Sequence, residues 1–229
     1  MKKFWLWVKM GLYLPAVYIS AVQSRKQPFK VRFELAKAWS SMLIRMSNSK
    51  LVVENDNNIP LQDGMLFVVN HQGSLDGFVL LAASPVPISA VGKIESKKIP
   101  FMNVWYKNMD VIMFDRGSVK DSIAMVHKLT ERLNLGHNMV IFPEGTRSYG
   151  NTMGEFKAGS LKAAIVAKVP IVPVALIDSY KALDDPKAKK VIIKVRYLQP
   201  IHHEEYQSLT IQQLADEVRS RIQQQLERG

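Results

Sequence analysis

Met65-Leu66-Phe67-Val68-Val69-Asn70-His71-Gln72-Gly73-Ser74-Leu75-Asp76 decides how the rest of the chain is read. Its first five residues are apolar without alternation and include two valines and a phenylalanine, the pattern of a strand buried on both faces. Polar residues and a glycine follow at once, so the strand ends in a loop. The same succession recurs. Runs at 88–92, 111–114, 139–142, 171–177 and 191–197 are strand-length, and most are rich in Val, Ile or Phe. Helical spacing fills 119–135, 158–168 and 211–226. Apolar strands alternating with helices predict an α/β fold, with a mostly parallel sheet of about six or seven strands covered by helices. In such sheets the chemistry collects in the loops at the carboxyl ends of the strands.

The chain has 229 residues, 47% of them apolar and 22% charged, enough for a sizeable core. That composition excludes collagen-like, mucin-like and disordered classes. With no cysteine, disulfides, thiolate metal sites and cysteine nucleophiles are excluded as well. The net charge of +11 is unevenly placed: residues 1–50 hold ten basic side chains and one acidic one, Glu34, leaving only +2 for residues 51–229. Two parts are therefore expected, a basic amphipathic two-helix segment over 1–50 that associates with membrane, and a nearly neutral domain over 51–229.

Within the first part, residues 4–22 carry one charge, Lys9, beside Trp5, Trp7, Tyr13 and Tyr18. The stretch approaches the roughly 20 residues of a bilayer span. Lys9 inside it, Gly11 and Pro15 as expected helix interruptions, and basic residues at both ends argue against a simple crossing. Residues 29–46 set Phe29, Phe33, Ala36, Trp39/Ser40, Leu43 and Ile44 at helical steps, with Lys30, Arg32, Lys37 and Arg45 elsewhere. That pattern suits a helix lying among anionic headgroups; the plainer alternative is two surface helices packed on the domain. Nucleic acid is disfavoured, because the charge is interleaved with apolar runs rather than spread over a soluble face.

Chemically equipped residues follow the predicted strands. His71 and Asp76 form a potential base and orienting carboxylate. Five residues apart on one helix they would point about 140° away from each other. They can pair if His71 lies in the loop and Asp76 in the first turn of a following helix, with Gly73 letting the chain bend and Ser74 as N-cap. Phe142-Pro143-Glu144-Gly145-Thr146-Arg147-Ser148 supplies a glycine amide able to face an oxyanion, a hydroxyl, and a guanidinium matched to phosphate. Arg116 and Lys93 add cations at neighbouring strand ends. There is no G-x-S-x-G elbow, P-loop or dinucleotide fingerprint. His127, His137 and the adjacent His202 and His203 form no metal-ligand pattern. A base without a protein nucleophile or metal suggests that the substrate brings the nucleophile, a hydroxyl.

These residues carry a resemblance. Asn70 to Asp76 resembles the NHxxxxD (HX4D) motif of the glycerolipid acyltransferases, and Phe142 to Ser148 is similar to their FPEGTRS motif letter for letter. Phe114-Asp115-Arg116 resembles the arginine motif, Val169-Pro170-Ile171-Val172-Pro173-Val174 the proline-containing block, and Lys93 with Glu95 the Lys-x-Glu pair. The resemblance implies acyl transfer from acyl-CoA or acyl carrier protein thioester to the free hydroxyl of lysophosphatidic acid, giving phosphatidic acid. No cofactor is implied beyond that co-substrate. His71 and Asp76 would be catalytic, while Lys93, Arg116, Glu144, Gly145, Thr146 and Arg147 would bind substrate. An apolar groove near the first helices would take the acyl chain, at the cytoplasmic face of the cell membrane. Glycerol 3-phosphate or another lysophospholipid is the alternative acceptor; a non-enzymatic protein binding anionic membrane is the more distant alternative. Asp110 stands where the family commonly has glycine, close enough in sequence to Arg116 to pair with it or to repel phosphate.

Overall fold

The structure, a computed structural model, describes residues 2–229, with side chains described for residues 11–99 and 101–229. Helices α1 (Lys2–Ser24) and α2 (Phe29–Met46) lead into strand β1 (Ser49–Glu54). Then come β2 (Leu66–Val69), α3 (Asp76–Ala83), β3 (Ser89–Lys93), α4 (Pro100–Asn108), β4 (Ile112–Phe114), α5 (Val119–Asn134) and β5 (Met139–Ile141). The chain continues through α6 (Lys162–Ala167), β6 (Ile171–Ile177), β7 (Val191–Tyr197), the single turn α7 (His203–Tyr206) and α8 (Ile211–Arg228).

One seven-stranded sheet results, in the order β1-β7-β6-β2-β5-β3-β4. Neighbouring strands are parallel except β6 and β7. The period-2 alternation of a strand divides the central residues between two cores. Leu66 and Val68 of β2, Met139 and Ile141 of β5, and Ile171 and Ala175 of β6 face a core shared with α5, α6 and α8. Phe67, Val69, Val140, Val172 and Val174 face the opposite core, shared with α2 and α3. Pro173 lies where the pairing of β6 with β7 ends: its carbonyl accepts from Leu198 N, and its missing N–H falls at that last position of the ladder.

The sequence reading missed β1, α3 as a complete helix, and α4. β1 is half-exposed at an edge, so Ser49-Lys50-Leu51 lacks the apolar run of the central strands. Two further expectations change. Gly11 and Pro15 do not interrupt α1, which is continuous. The carbonyl that Pro15 leaves unpaired is that of Gly11, and both residues are exposed, so water can satisfy it. The apolar stripe of α2 does not face outward either: Phe33 is 0% exposed, and Ala36 and Ile44 lie in the core beside α3 and β7. Trp5, Trp7 and Lys9 have side chains outside the described residues. Among the described residues no helix is long and apolar enough to cross a membrane.

Candidate active site

The parallel strands β2, β3, β4 and β5 bring their carboxyl ends to one edge, where β6 also ends. Asn70 begins the site by prolonging the sheet with its side chain. Its Nδ2 donates to Leu176 O at 2.9 Å and its Oδ1 accepts from Leu176 N at 2.7 Å, one residue past the end of β2. His71 is thereby freed from the ladder. Asp76 is the first residue of α3, and its Oδ2 lies 2.7 Å from His71 Nδ1. The same oxygen accepts from Gln72 N at 2.6 Å and Gly73 N at 2.9 Å. Asp76 Oδ1 accepts from Ser179 Oγ at 2.6 Å, and the Asp76 residue is 0% exposed. The imidazole stacks on Phe142, with ring centroids 4.4 Å apart. Its Nδ1 is committed to the carboxylate, so its Nε2 is the nitrogen left to act on a substrate.

Gly73 is required by close approach. A Cβ there would lie 2.6 Å from Asp184 Oδ2 and 2.8 Å from Tyr180 Cα, so any side chain would push away the loop after β6. Ser74 does not cap α3; Leu75 holds that position. Instead Ser74 N and Oγ both donate to the Asp184 carboxylate, at 2.7 and 2.8 Å. Ser74 Oγ also accepts from Arg147 at 2.5 Å. Arg147 lies over the Tyr149 ring at 5.2 Å.

The loop after β5 is laced to the loop after β2: Ser148 N donates to His71 O and Tyr149 N to Gln72 O. Glu144, expected among the substrate ligands, is 5% exposed and bonded to backbone. Its Oε1 accepts from His71 N and its Oε2 from Gly154 N, each at 2.7 Å. Burial raises its proton affinity above the ordinary carboxylate value, against the pull of those two N–H groups. Gly145, expected to offer a free amide, donates it to Phe142 O at 3.1 Å, closing a turn. Its φ of +70° explains glycine at this position. Thr146 is exposed, and its amide and hydroxyl take no partner among the described residues.

The cations fall into unequal groups. Arg116 donates to the Gly145 carbonyl, which ties the loop after β4 to the loop after β5. Burial lowers its proton affinity, and the charge of Glu95 counters that effect. Lys93 is about half exposed and pairs with Glu95 at 3.1 Å, so its ammonium is already opposed by a carboxylate. Asp110, thought able to meet Arg116, turns the other way and binds Arg32 of α2 at 2.9 Å. Its φ of +52° supplies the reason a glycine suits the position. Sequence reading missed Lys157, whose Nζ would be 3.2 Å from a Cβ on Gly145 and which has no acidic partner among the described residues. It also missed Gln72, Asn151, Ser179 and Asp184. A signal was available for the last two, since they follow the carboxyl end of an apolar strand. Among the described residues no group of three or more His, Cys, Asp or Glu could hold a metal ion.

A doubly covered, mostly parallel sheet thus carries a His–Asp pair at one strand end and arginines at two others. Residues 50–177 match the family described as Acyltransferase, and the chain belongs to it. It is 33% identical over 169 residues to the probable 1-acyl-sn-glycerol-3-phosphate acyltransferase of Mycoplasma genitalium, covering 71% of this chain and 62% of that one. To the 1-acyl-sn-glycerol-3-phosphate acyltransferase of Borreliella burgdorferi it is 28% identical over 150 residues, covering 66% and 60%. The chain thus spans about three fifths of those relatives' length. The crystal structure of the 1-acyl-sn-glycerophosphate (LPA) acyltransferase PlsC from Thermotoga maritima shares the fold, with a TM-score of 0.82 and 22% identity over 99% of this chain and 94% of that one.

Proposed function

We propose that this protein transfers a fatty acyl group from an acyl-thioester, on coenzyme A or acyl carrier protein, to the free hydroxyl of lysophosphatidic acid. The observation that carries the reading is the 2.7 Å bond from His71 Nδ1 to an Asp76 carboxylate that is fully buried and held by three further donors. His71 Nε2 takes the proton of the acceptor hydroxyl as its oxygen attacks the thioester carbonyl. Collapse of the tetrahedral intermediate breaks the C–S bond, and the imidazolium returns the proton to the departing thiolate. No acyl-enzyme forms, and Asp76 stabilises the transient imidazolium while staying ionised.

Arg116 and Arg147 are the phosphate ligands in this reading, joined by Lys157 beside Gly145 and more weakly by Lys93. The Thr146 amide, unpartnered where that of Gly145 is engaged, is the loop donor for the developing oxyanion. Glu144 binds no substrate here: it holds the histidine loop to the arginine loop. The membrane surface is met by α1, which leaves Leu12, Tyr13, Tyr18, Ile19 and Val22 exposed on the face away from the core, beside the exposed Arg25, Lys26 and Lys30. This supports interfacial attachment, with the acyl chains drawn from the leaflet.

A thioester-consumption assay over a panel of glycerophosphate acceptors tests the reading. Lysophosphatidic acid is expected to be consumed with release of thiol, and His71→Ala to lower the rate by roughly a thousandfold or more with folding intact. Undiminished turnover by that variant would overturn the mechanism; turnover with glycerol 3-phosphate alone would replace the acceptor.

A further inference from the structure

We infer that Ser179, on the loop after β6, is a positioning residue that holds Asp76 for its work on His71. This rests on the acyl-transfer reading of the His71–Asp76 pair. The loop touches the histidine loop at both its ends. At one end Ser179 Oγ lies 2.6 Å from Asp76 Oδ1 and 3.0 Å from Gln72 Oε1, and Ser179 N donates to Gln72 Oε1 at 2.9 Å. At the other, Asp184 receives both the amide and the hydroxyl of Ser74. Gly73 lies between them, and only its missing side chain lets the loop come so near.

A serine hydroxyl has one proton, so it can donate to Asp76 or to Gln72 but not to both. Gln72 Oε1 already has the Ser179 N–H. Its orientation is fixed from the other side, because Gln72 Nε2 donates to Asn151 Oδ1 at 2.6 Å and Asn151 Nδ2 to Asp178 Oδ1 at 2.9 Å. The ionised carboxylate is the stronger acceptor and the closer one, so the proton goes to Asp76. Asp76 and Ser179 are both 0% exposed, so the bond is shielded from bulk solvent. Four donors then share the two carboxylate oxygens. His71 Nδ1 and two backbone amides take Oδ2, and among the described residues Ser179 alone satisfies Oδ1.

That division has a chemical consequence. The Ser179 bond draws negative charge toward Oδ1, which moderates how strongly Oδ2 holds the imidazolium proton at Nδ1. It also fixes the rotation of the carboxylate, and so the plane of the imidazole. The other ionisable groups facing the pair are Glu144, whose charge acts on both His71 and Asp76, and Asp178 and Asp184 on the same loop. Arg147 reaches it through Ser74. None of these donates to Oδ1, so none replaces the serine.

The test compares wild type, Ser179→Ala, Ser179→Thr and His71→Ala for thioester consumption over a range of pH, with Tm measured beside each. In Ser179→Ala, kcat should fall roughly ten- to a hundredfold, the size of one hydrogen bond to a charged group, with KM for both substrates nearly unchanged. The freed carboxylate becomes more basic and holds the imidazolium proton more tightly. The acid limb of the rate profile therefore moves to higher pH, by about half a unit or more. Ser179→Thr, which keeps the hydroxyl, should recover much of the rate and return the limb toward its original position. A Ser179→Ala enzyme with wild-type kcat and an unmoved limb overturns this inference. So does one whose only change is a lower Tm, or a Thr variant no better than Ala at equal Tm. Undiminished activity in His71→Ala instead removes the reading beneath it, so the two failures are distinct.

Discussion

Glu144 joins two loops through one buried carboxylate, and its neighbours explain why a charged residue is tolerated there. Each oxygen has a backbone N–H, from His71 and from Gly154, and the Gly154 carbonyl in turn accepts from Arg219 Nε of α8 at 3.1 Å. Burial is the largest influence on its proton affinity and raises it above the ordinary value of 4.5. An acid shifted upward in this way contributes stability that is fully present below that value and lost as pH rises through the folded-state value. Thermal melting of wild type and Glu144→Gln from about pH 4 to about pH 8 should show the wild-type advantage shrinking as pH rises. An advantage that grows with pH would contradict the burial argument. The residue type at 144 was legible as part of a motif. Its work was not, because a sequence does not say whether a carboxylate faces solvent or two amides.

At the scale of elements, α2 is the part whose pattern was read correctly and assigned the wrong neighbour. Its apolar residues do recur at helical steps, but a stripe of that width packs on a helix and a sheet as well as on lipid. The polar residues around it settle the matter. Lys37 Nζ donates to Ser84 O at 2.8 Å, Trp39 Nε1 to Ser20 Oγ at 2.9 Å, and Arg32 pairs with Asp110 at 2.9 Å and also donates to the Asn108 carbonyl. The unusual Asp110 thus ties the first helices to the sheet domain, while its left-handed backbone carries a steric cost. Asp110→Ala loses the pair and keeps the strained φ, and should cost about 1–2 kcal/mol in urea denaturation. Asp110→Gly loses the same pair but relieves the strain, recovering roughly 0.5–1 kcal/mol. Equal losses in the two variants would refute the backbone explanation.

For the whole molecule, the charge asymmetry and the burial map now describe the same surface. α2 turns its apolar side inward, so in the proposed function the membrane-facing helix is α1, whose exposed Leu12, Ile19 and Val22 lie near the exposed Lys26 and Lys30. Binding to vesicles containing anionic lipid should weaken with salt. It should fall roughly tenfold or more when Lys26 and Lys30 are both changed to Gln, at about 1 kcal/mol per cation. Leu12→Gln with Ile19→Gln should weaken binding at every salt concentration. Salt-independent binding, or full binding by the Gln variants, would remove α1 from the interface.

The sequence by itself determined the alternation of strands and helices, and it set His71, Asp76 and Arg147, the principal residues of the proposed site, in loops that follow strands. Each of these is written in local periodicity or in a short ordered motif. Only the tertiary structure decided what faces what. The antiparallel β7, the buried side of α2, the Asp110–Arg32 pair and the Ser179 hydroxyl on Asp76 all join residues far apart in the chain. Such contacts follow from how the sheet is ordered and which helices cover it, and no local pattern encodes that order. The net charge shows the same division. Its placement along the chain was plain from the start, but which side of the first helices stays exposed depended on which apolar stripe the core took up.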